Sequence, residues 1–195
     1  MAMLFFGGSF NPIHVGHLIC ARHAAEQIKA DATVLVPSAQ PPHKPNATDL
    51  APAVHRVRMC QIATHASESF DVDDLETKRT GPSYTIDTVR ELARRGVGRV
   101  SWLIGADMLR NLPTWREPEA LMEEAQLIVM ARPGWSFDWE TLPPPFRKLR
   151  DSVVEAPLIQ VSATQIRRRI QLGLPIDFLT PAPVVQYIRD NGLYH

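Results

Sequence analysis

The chain has 195 residues, 45% hydrophobic and 22% charged, with 21 basic and 21 acidic residues and a formal net charge of zero. That length fits a single domain, residues 1–195, with enough chain to bury a sizeable core. A neutral balance lacks the field that draws a protein to nucleic acid, and no apolar run is long enough to span a bilayer, so neither nucleic acid nor a membrane is expected as a partner.

The apolar run Met3 to Phe6 reads as a short buried strand, and Leu18 to Ala30 as a helix. Between them stands Gly7-Gly8-Ser9-Phe10-Asn11-Pro12-Ile13-His14-Val15-Gly16-His17. A strand feeding a glycine-rich turn that opens a helix is how open α/β sheets build phosphate sites: backbone N–H groups approach the anion, and the helix N-terminus adds partial positive charge. His14 and His17 are three apart and share one face of that helix. Imidazoles beside a phosphate-sized nest point to chemistry on phosphorus. The chain holds no G-x-x-x-x-G-K-[ST], so the site is not a P-loop.

Ala32 to Val36 is a second buried strand, stopped by Pro37. The stiff loop Ser38 to Pro45 follows, at the strand end where open α/β sheets place ligands. Its His43 and Lys44 fit a phosphate contact and a solvated loop equally well. Val54 to Ser67 reads as an amphipathic helix with Val54, Val57, Ile62 and Ala66 inward and Arg56 and Arg58 on a solvated face. Cys20 and Cys60 fall in helices without metal or redox spacing. They read as core residues of a reducing cytosol, and with no basic leader at the N-terminus the chain is expected to be cytoplasmic. Phe70 to Leu75 reads as a short strand, and Asp71, Asp73 and Asp74 at its margins as surface charge.

Ser83 is the expected N-cap of a helix from Ile86 to Arg95, whose first turn offers free N–H groups beside Tyr84 and Thr85. Val100 to Ile104 is another strand, ending in Gly105-Ala106-Asp107. A carboxylate at that place can accept hydrogen bonds from ribose hydroxyls, and Trp115 offers a flat face either to a heteroaromatic ring or to the core. Gln126 to Ala131 is a fifth strand, and Arg132 follows its end. Trp135 to Arg150, with three consecutive prolines, is expected to be the most irregular and mobile stretch. Val153-Val154 and Leu158 to Val161 are short β-like runs. Ser162-x-x-Gln165 is a capping box that opens a helix ending before Gly173. Ser162, Thr164 and Arg167 make its N-terminus an anion site, although a capped helix with solvated arginines explains part of the pattern. Pro183 to Asn191 is a final helix.

Strands alternating with helices predict an α/β fold: a Rossmann-like, doubly wound, mostly parallel sheet with a small helical C-terminal part. His14–His17 and Ser162–Arg167 are expected to meet at its topological switch point.

GGSFNPIHVGHL resembles the first signature of the nucleotidyltransferase superfamily marked by H-x-G-H, in the form carried by bacterial nicotinate-nucleotide adenylyltransferases. The segments Pro41-Pro42-His43-Lys44, Gly81 to Thr85 and Ile104-Gly105-Ala106-Asp107 with Trp115 are similar to the same family, as is Val161 to Arg167. One departure is Ala163, where the family's I-S-S-T-x-I-R carries a second serine. The resemblance runs in order along nearly the whole chain, with a gap between about Trp135 and Pro157.

It implies an enzyme of NAD biosynthesis that transfers adenylyl from ATP to nicotinate mononucleotide, giving deamido-NAD and pyrophosphate. His14 and His17 are then catalytic. Gly7, Gly8, Ser9, Phe10, Gly105, Asp107, Arg132, Ser162, Thr164 and Arg167 are expected to bind ATP. His43, Lys44, Tyr84, Thr85, Asp107 and Trp115 are expected to bind the mononucleotide. Mg²⁺ is expected as a cofactor carried mainly by the ATP phosphates, with no metal ligands of the chain's own. A homo-oligomer is compatible with this composition. Another H-x-G-H transferase, such as a pantetheine-phosphate adenylyltransferase or a cytidylyltransferase, would share the first motif without the Tyr84-Thr85, Asp107 and Trp115 set. A non-catalytic nucleotide-binding module is disfavoured by the intact histidines.

Overall fold

In the computed structural model, residues 2–42 and 49–195 are described. Six strands form one sheet: β1 Met3–Gly8, β2 Ala32–Pro37, β3 Phe70–Val72, β4 Val100–Gly105, β5 Ala125–Ala131 and β6 Val153–Glu155. Their order across the sheet is β3-β2-β1-β4-β5-β6, and every pairing is parallel. Parallel strands must be joined by crossovers, four of which are helices, α1 Val15–Gln27, α2 Ala53–Thr64, α3 Thr85–Arg94 and α4 Pro118–Glu124, while 3₁₀ turns connect β5 to β6. Helices α5 Ala163–Gln171 and α6 Ala182–Asp190 close the chain. The expected doubly wound sheet with a helical C-terminal part is what forms, and the sheet is parallel throughout. Among the described residues no helix is long and apolar enough to cross a membrane.

The period of two along a strand decides which residue enters which core. Phe5, Trp102, Ile104, Leu127 and Val129 face α3 and α4 with Ile86, Val89, Leu92 and Leu121. Their neighbours Leu4, Leu103 and Ile128 face the opposite side, where α1 presents Ala21, Ala24 and Ala25. These small side chains let α1 lie close on the sheet. A third core joins α2, α5 and α6 through Met59, Cys60, Ile166, Val184, Val185 and Ile188.

The strand order reverses direction between β1 and β4, where Phe6 lies opposite Leu103. Gly8 is level with Pro37, and Gly105 with Met130, so the strand ends form one edge. A crevice at that edge is where an open α/β sheet binds ligands.

Several local expectations change. Helix α1 starts at Val15, three residues early, because His14 rather than a later residue caps it. Helix α3 starts at Thr85 with Tyr84 in the cap position and no side-chain cap. Ser83 turns inward instead, its Oγ accepting from Ala39 N at 2.9 Å. Val54 is 71% exposed, while Arg56, expected on a solvated face, is 0% exposed. Leu158–Val161 forms no strand. The proline-rich stretch is ordered as 3₁₀ turns at Trp139–Thr141 and Pro144–Ser152, pinned to the core by Leu142, Phe146 and Leu149. Asp73 and Asp74 pair with Arg95 and Lys78 at the surface.

Candidate active site

Strand β1 runs through Gly7 and Gly8 before the turn begins at Ser9. A Cβ at Gly7 would overlap the Trp102 indole on the neighbouring strand, so glycine here makes room for a ring. Phe10 adopts a left-handed φ of 44° and buries its ring, which redirects the chain toward α1. The loop is then tied down from several sides. Asn11 Oδ1 accepts from Ala51 N at 3.0 Å and from Tyr194 Oη at 2.9 Å. Thr180 Oγ1 donates to Ile13 O at 2.8 Å, and Arg167 Nη1 donates to Asn11 O at 2.8 Å.

His14 and His17 form a reciprocal cap. His17 N donates to His14 Nδ1, and His14 N donates to His17 Nδ1, both at 3.3 Å. The rings stack with centroids 3.6 Å apart and planes 23° from parallel. Burial pushes His14 down to about 4, and burial with the charge of His14 pushes His17 well below the usual imidazole range. The rings of Phe6 and Phe10, 6.1 and 5.1 Å from His17, supply part of that apolar surround. Both rings are therefore neutral at pH 7. Since each Nδ1 accepts a backbone N–H, each proton sits on Nε2, and each ring offers one Nε2–H donor.

Two connected lobes of about 690 and 670 Å³ open at the strand ends and share Phe6, Ser9, His17, Gly105, Asp107 and Met130. The first lobe brings together His14, His17, Arg132, Ser162, Thr164 and Arg167. Ser162 caps α5, its Oγ accepting from Gln165 N at 3.2 Å. Arg167 is held by Asn11 O and by the carboxylate of Asp49. Ala163 also lines this lobe, at the position where a hydroxyl is missing. The second lobe brings together Gly7, Gly8, Phe10, Tyr84, Thr85 and Trp115. Gly7, Gly8 and Phe10 thus line the second lobe and not the one that holds Arg132, Ser162, Thr164 and Arg167, whereas Ser9, Gly105 and Asp107 stand at the junction. His43 and Lys44 lie outside the described residues.

Residues 5–169 match the cytidylyltransferase-like family. A protein of Thermomicrobium roseum named "Probable nicotinate-nucleotide adenylyltransferase" is 39% identical over 97% of this chain and 89% of its own length. A protein of the same name from Thermus thermophilus is 40% identical over the full length of both chains. The chain belongs to the nicotinate-nucleotide adenylyltransferase family. The solved structure titled "Plasmodium falciparum nicotinic acid mononucleotide adenylyltransferase complexed with NaAD" superposes with a TM-score of 0.77 over 99% of this chain and 97% of that one, and at 19% identity it speaks to the fold.

In this family member some lining residues escape a motif reading. Trp102 and Arg116 line the second lobe, and Arg116 lies 4.9 Å from the centre of the Tyr84 ring. Trp135 and Cys20 line the first. The register of β4 beside Gly7 signals Trp102. Trp135 follows Arg132-Pro133-Gly134 and has only its place after a strand end to mark it.

Proposed function

We propose that this chain transfers the adenylyl group of ATP to nicotinate mononucleotide, giving deamido-NAD and pyrophosphate. The observation that carries the reading is the stacked histidine pair, of which His17 lines both lobes and His14 the first, between a cationic lobe and an aromatic one. Such an arrangement suits a reaction that joins two nucleotides through their phosphates.

ATP occupies the first lobe, with its phosphates toward Arg132, Ser162, Thr164 and Arg167. The mononucleotide occupies the second, its pyridine ring beside Trp115 and its carboxylate toward the Thr85 N–H at the start of α3, the Tyr84 N–H being donated to Pro82 O at 3.1 Å. Asp107, at the junction, accepts from ribose hydroxyls of either nucleotide. A mononucleotide phosphate oxygen attacks the α-phosphorus of ATP. The new P–O bond forms as the bond from the α-phosphorus to the bridging oxygen breaks, and pyrophosphate leaves with the electron pair. The nucleophile is anionic near neutral pH, so no general base is needed. The two Nε2–H donors are fixed by their caps before substrate arrives, so they stabilise charge on the α-phosphoryl oxygens without reorganisation. Mg²⁺ enters with ATP, carried by the phosphate oxygens, which suit a hard cation.

The test is pyrophosphate release with ATP and a panel of mononucleotides and pantetheine phosphate. Release with nicotinate mononucleotide above all others is expected. Turnover only with another acceptor contradicts the proposal.

A further inference from the structure

Among the described residues, Arg56 is the largest fully buried side chain. Its partners are backbone carbonyls of three separate segments. Nε donates to Ala51 O at 2.8 Å, Nη1 to Ser9 O at 2.8 Å and Nη2 to Ala39 O at 3.0 Å. Burying a guanidinium is costly, and here that cost is offset by hydrogen bonds to three backbone carbonyls, which an apolar side chain of similar volume would leave unpaired. A fully buried arginine that holds loops rather than a carboxylate therefore has a reason beyond packing.

The three carbonyls give that reason. Ser9 opens the loop that carries His14 and His17, and it lines both lobes. Ala39 follows β2, and its N–H is bound by Ser83 Oγ at 2.9 Å, while Ser83 N donates to Gln40 O at 2.9 Å. Ser83 also hydrogen-bonds Glu76, a buried carboxylate that accepts from Thr88 Oγ1 at 2.6 Å within α3. The chain of contacts runs from the histidine loop through Arg56 and Ala39 to the start of α3. Ala51, the third partner, is bound a second time through its N–H by Asn11.

We propose that Arg56 is a positioning residue for both substrates: its planar fork fixes the histidine loop against the Ala39–Ser83 contact on which the N-terminus of α3 rests. This rests on the reading of the two lobes as the ATP and mononucleotide sites. Three nitrogens set in a rigid fork reach three carbonyls at once. A lysine ammonium carries its donors on a single atom and cannot span the same three segments. Burial holds the guanidinium below its usual range, and the charges of Tyr194, Cys60 and Glu76 act against that shift.

The experiment compares wild type with Arg56→Lys and Arg56→Met, the second chosen because an apolar filler of similar length keeps the core packed. Melting curves, kinetics with each substrate varied, and amide hydrogen exchange on the free protein are measured. Both variants are expected to melt cooperatively. Their kcat should fall by about a hundredfold, the cost of misplacing reacting groups by about an ångström, with KM raised for ATP and for the mononucleotide. The Ala39 amide should exchange at least about tenfold faster, and the Leu103 amide in β4 should keep its wild-type rate. Wild-type kcat in Arg56→Met overturns the proposal. So does equal acceleration at Ala39 and Leu103, which would make Arg56 a stability element only. If wild-type protein releases no pyrophosphate, the functional reading fails by itself, and the Ala39 exchange then decides whether Arg56 anchors the two loops.

Discussion

Helices α5 and α3 both begin at the crevice, and they begin differently. Ser162 caps α5 at an exposed end where Thr164 and Arg167 add a hydroxyl and a charge. Helix α3 starts without a side-chain cap, below Tyr84 and beside Trp115, with Arg116 over the Tyr84 ring. Both ends present the positive pole of a helix. The first suits a triphosphate, whose many charges stay partly hydrated and are held best by guanidinium groups. The second suits a flat ring with a single carboxylate, because uncapped amides satisfy the anion while aromatic walls take the ring. His17, which lines both lobes, stands between the two ends.

The largest expected effect is therefore at the junction. On the proposed mechanism, His17→Ala removes a donor to the transition state together with half of the reciprocal cap. It should lower kcat by about two powers of ten or more, with ATP binding far less affected. Steady-state and binding measurements on the purified variant separate these. A raised KM with normal kcat would move His17 from the reacting phosphate to substrate binding.

Next comes the α5 side. A hydrogen bond to a charged group contributes about 1.5–3 kcal/mol, so Arg167→Ala should weaken ATP by roughly tenfold to a hundredfold and leave KM for the mononucleotide near wild type. Arg168→Ala is the control, because Arg168 is exposed. Arg169 serves less well, since its Nε donates to Pro175 O at 2.8 Å. Equal small losses for Arg167 and Arg168 would reduce α5 to a capped surface helix.

On the α3 side the effect should be smaller and fall on the other substrate. Trp115→Ala removes one aromatic wall, worth about 0.5–1.5 kcal/mol beyond area, so KM for the mononucleotide should rise roughly threefold to tenfold with KM for ATP unchanged. A rise for ATP instead would reverse the assignment of the lobes.

The smallest change in turnover is expected from pH. With His14 at about 4 in the folded protein against 6.5 ordinarily, neither ring titrates on going from pH 7 to 5.5, and the histidines' contribution to kcat should change by less than about twofold. Stability responds in that range. Between about 4 and 6.5 the unfolded chain binds more protons than the folded one, so the stability is complete above 6.5 and is lost as pH falls toward 4. Urea titrations at pH 7, 5.5 and 4.5 check the sign.

Much of this was legible in the sequence because the strands announce themselves as apolar runs and the site residues sit where strands end. Gly7 to His17 and Gly105-Ala106-Asp107 follow that rule, whereas Ser162 to Arg167 lies beyond β6 at the start of α5 and meets the histidines in the first lobe. Arg56 was not legible. Helical periodicity places a charge toward solvent, and only the fold brings the carbonyls of Ser9 and Ala39 over that position. Ser83 was misread for a similar reason: a hydroxyl before a helix looks like a cap, and its actual partner, Ala39, is 44 residues away. In the proline-rich stretch the prolines obscured Leu142, Phe146 and Leu149, which anchor it to the core.

The central claim is that α3 selects a carboxylate. An amide in that place sets its NH₂ group against N–H donors, a buried mismatch of about 1–3 kcal/mol for each unsatisfied group. The direct measurement is kcat/KM for nicotinate mononucleotide and for nicotinamide mononucleotide at saturating ATP and Mg²⁺. The expected result is a preference for the nicotinate form of at least about tenfold to a hundredfold. Equal values, or a preference for the amide, would contradict the placement of the pyridine ring at the start of α3.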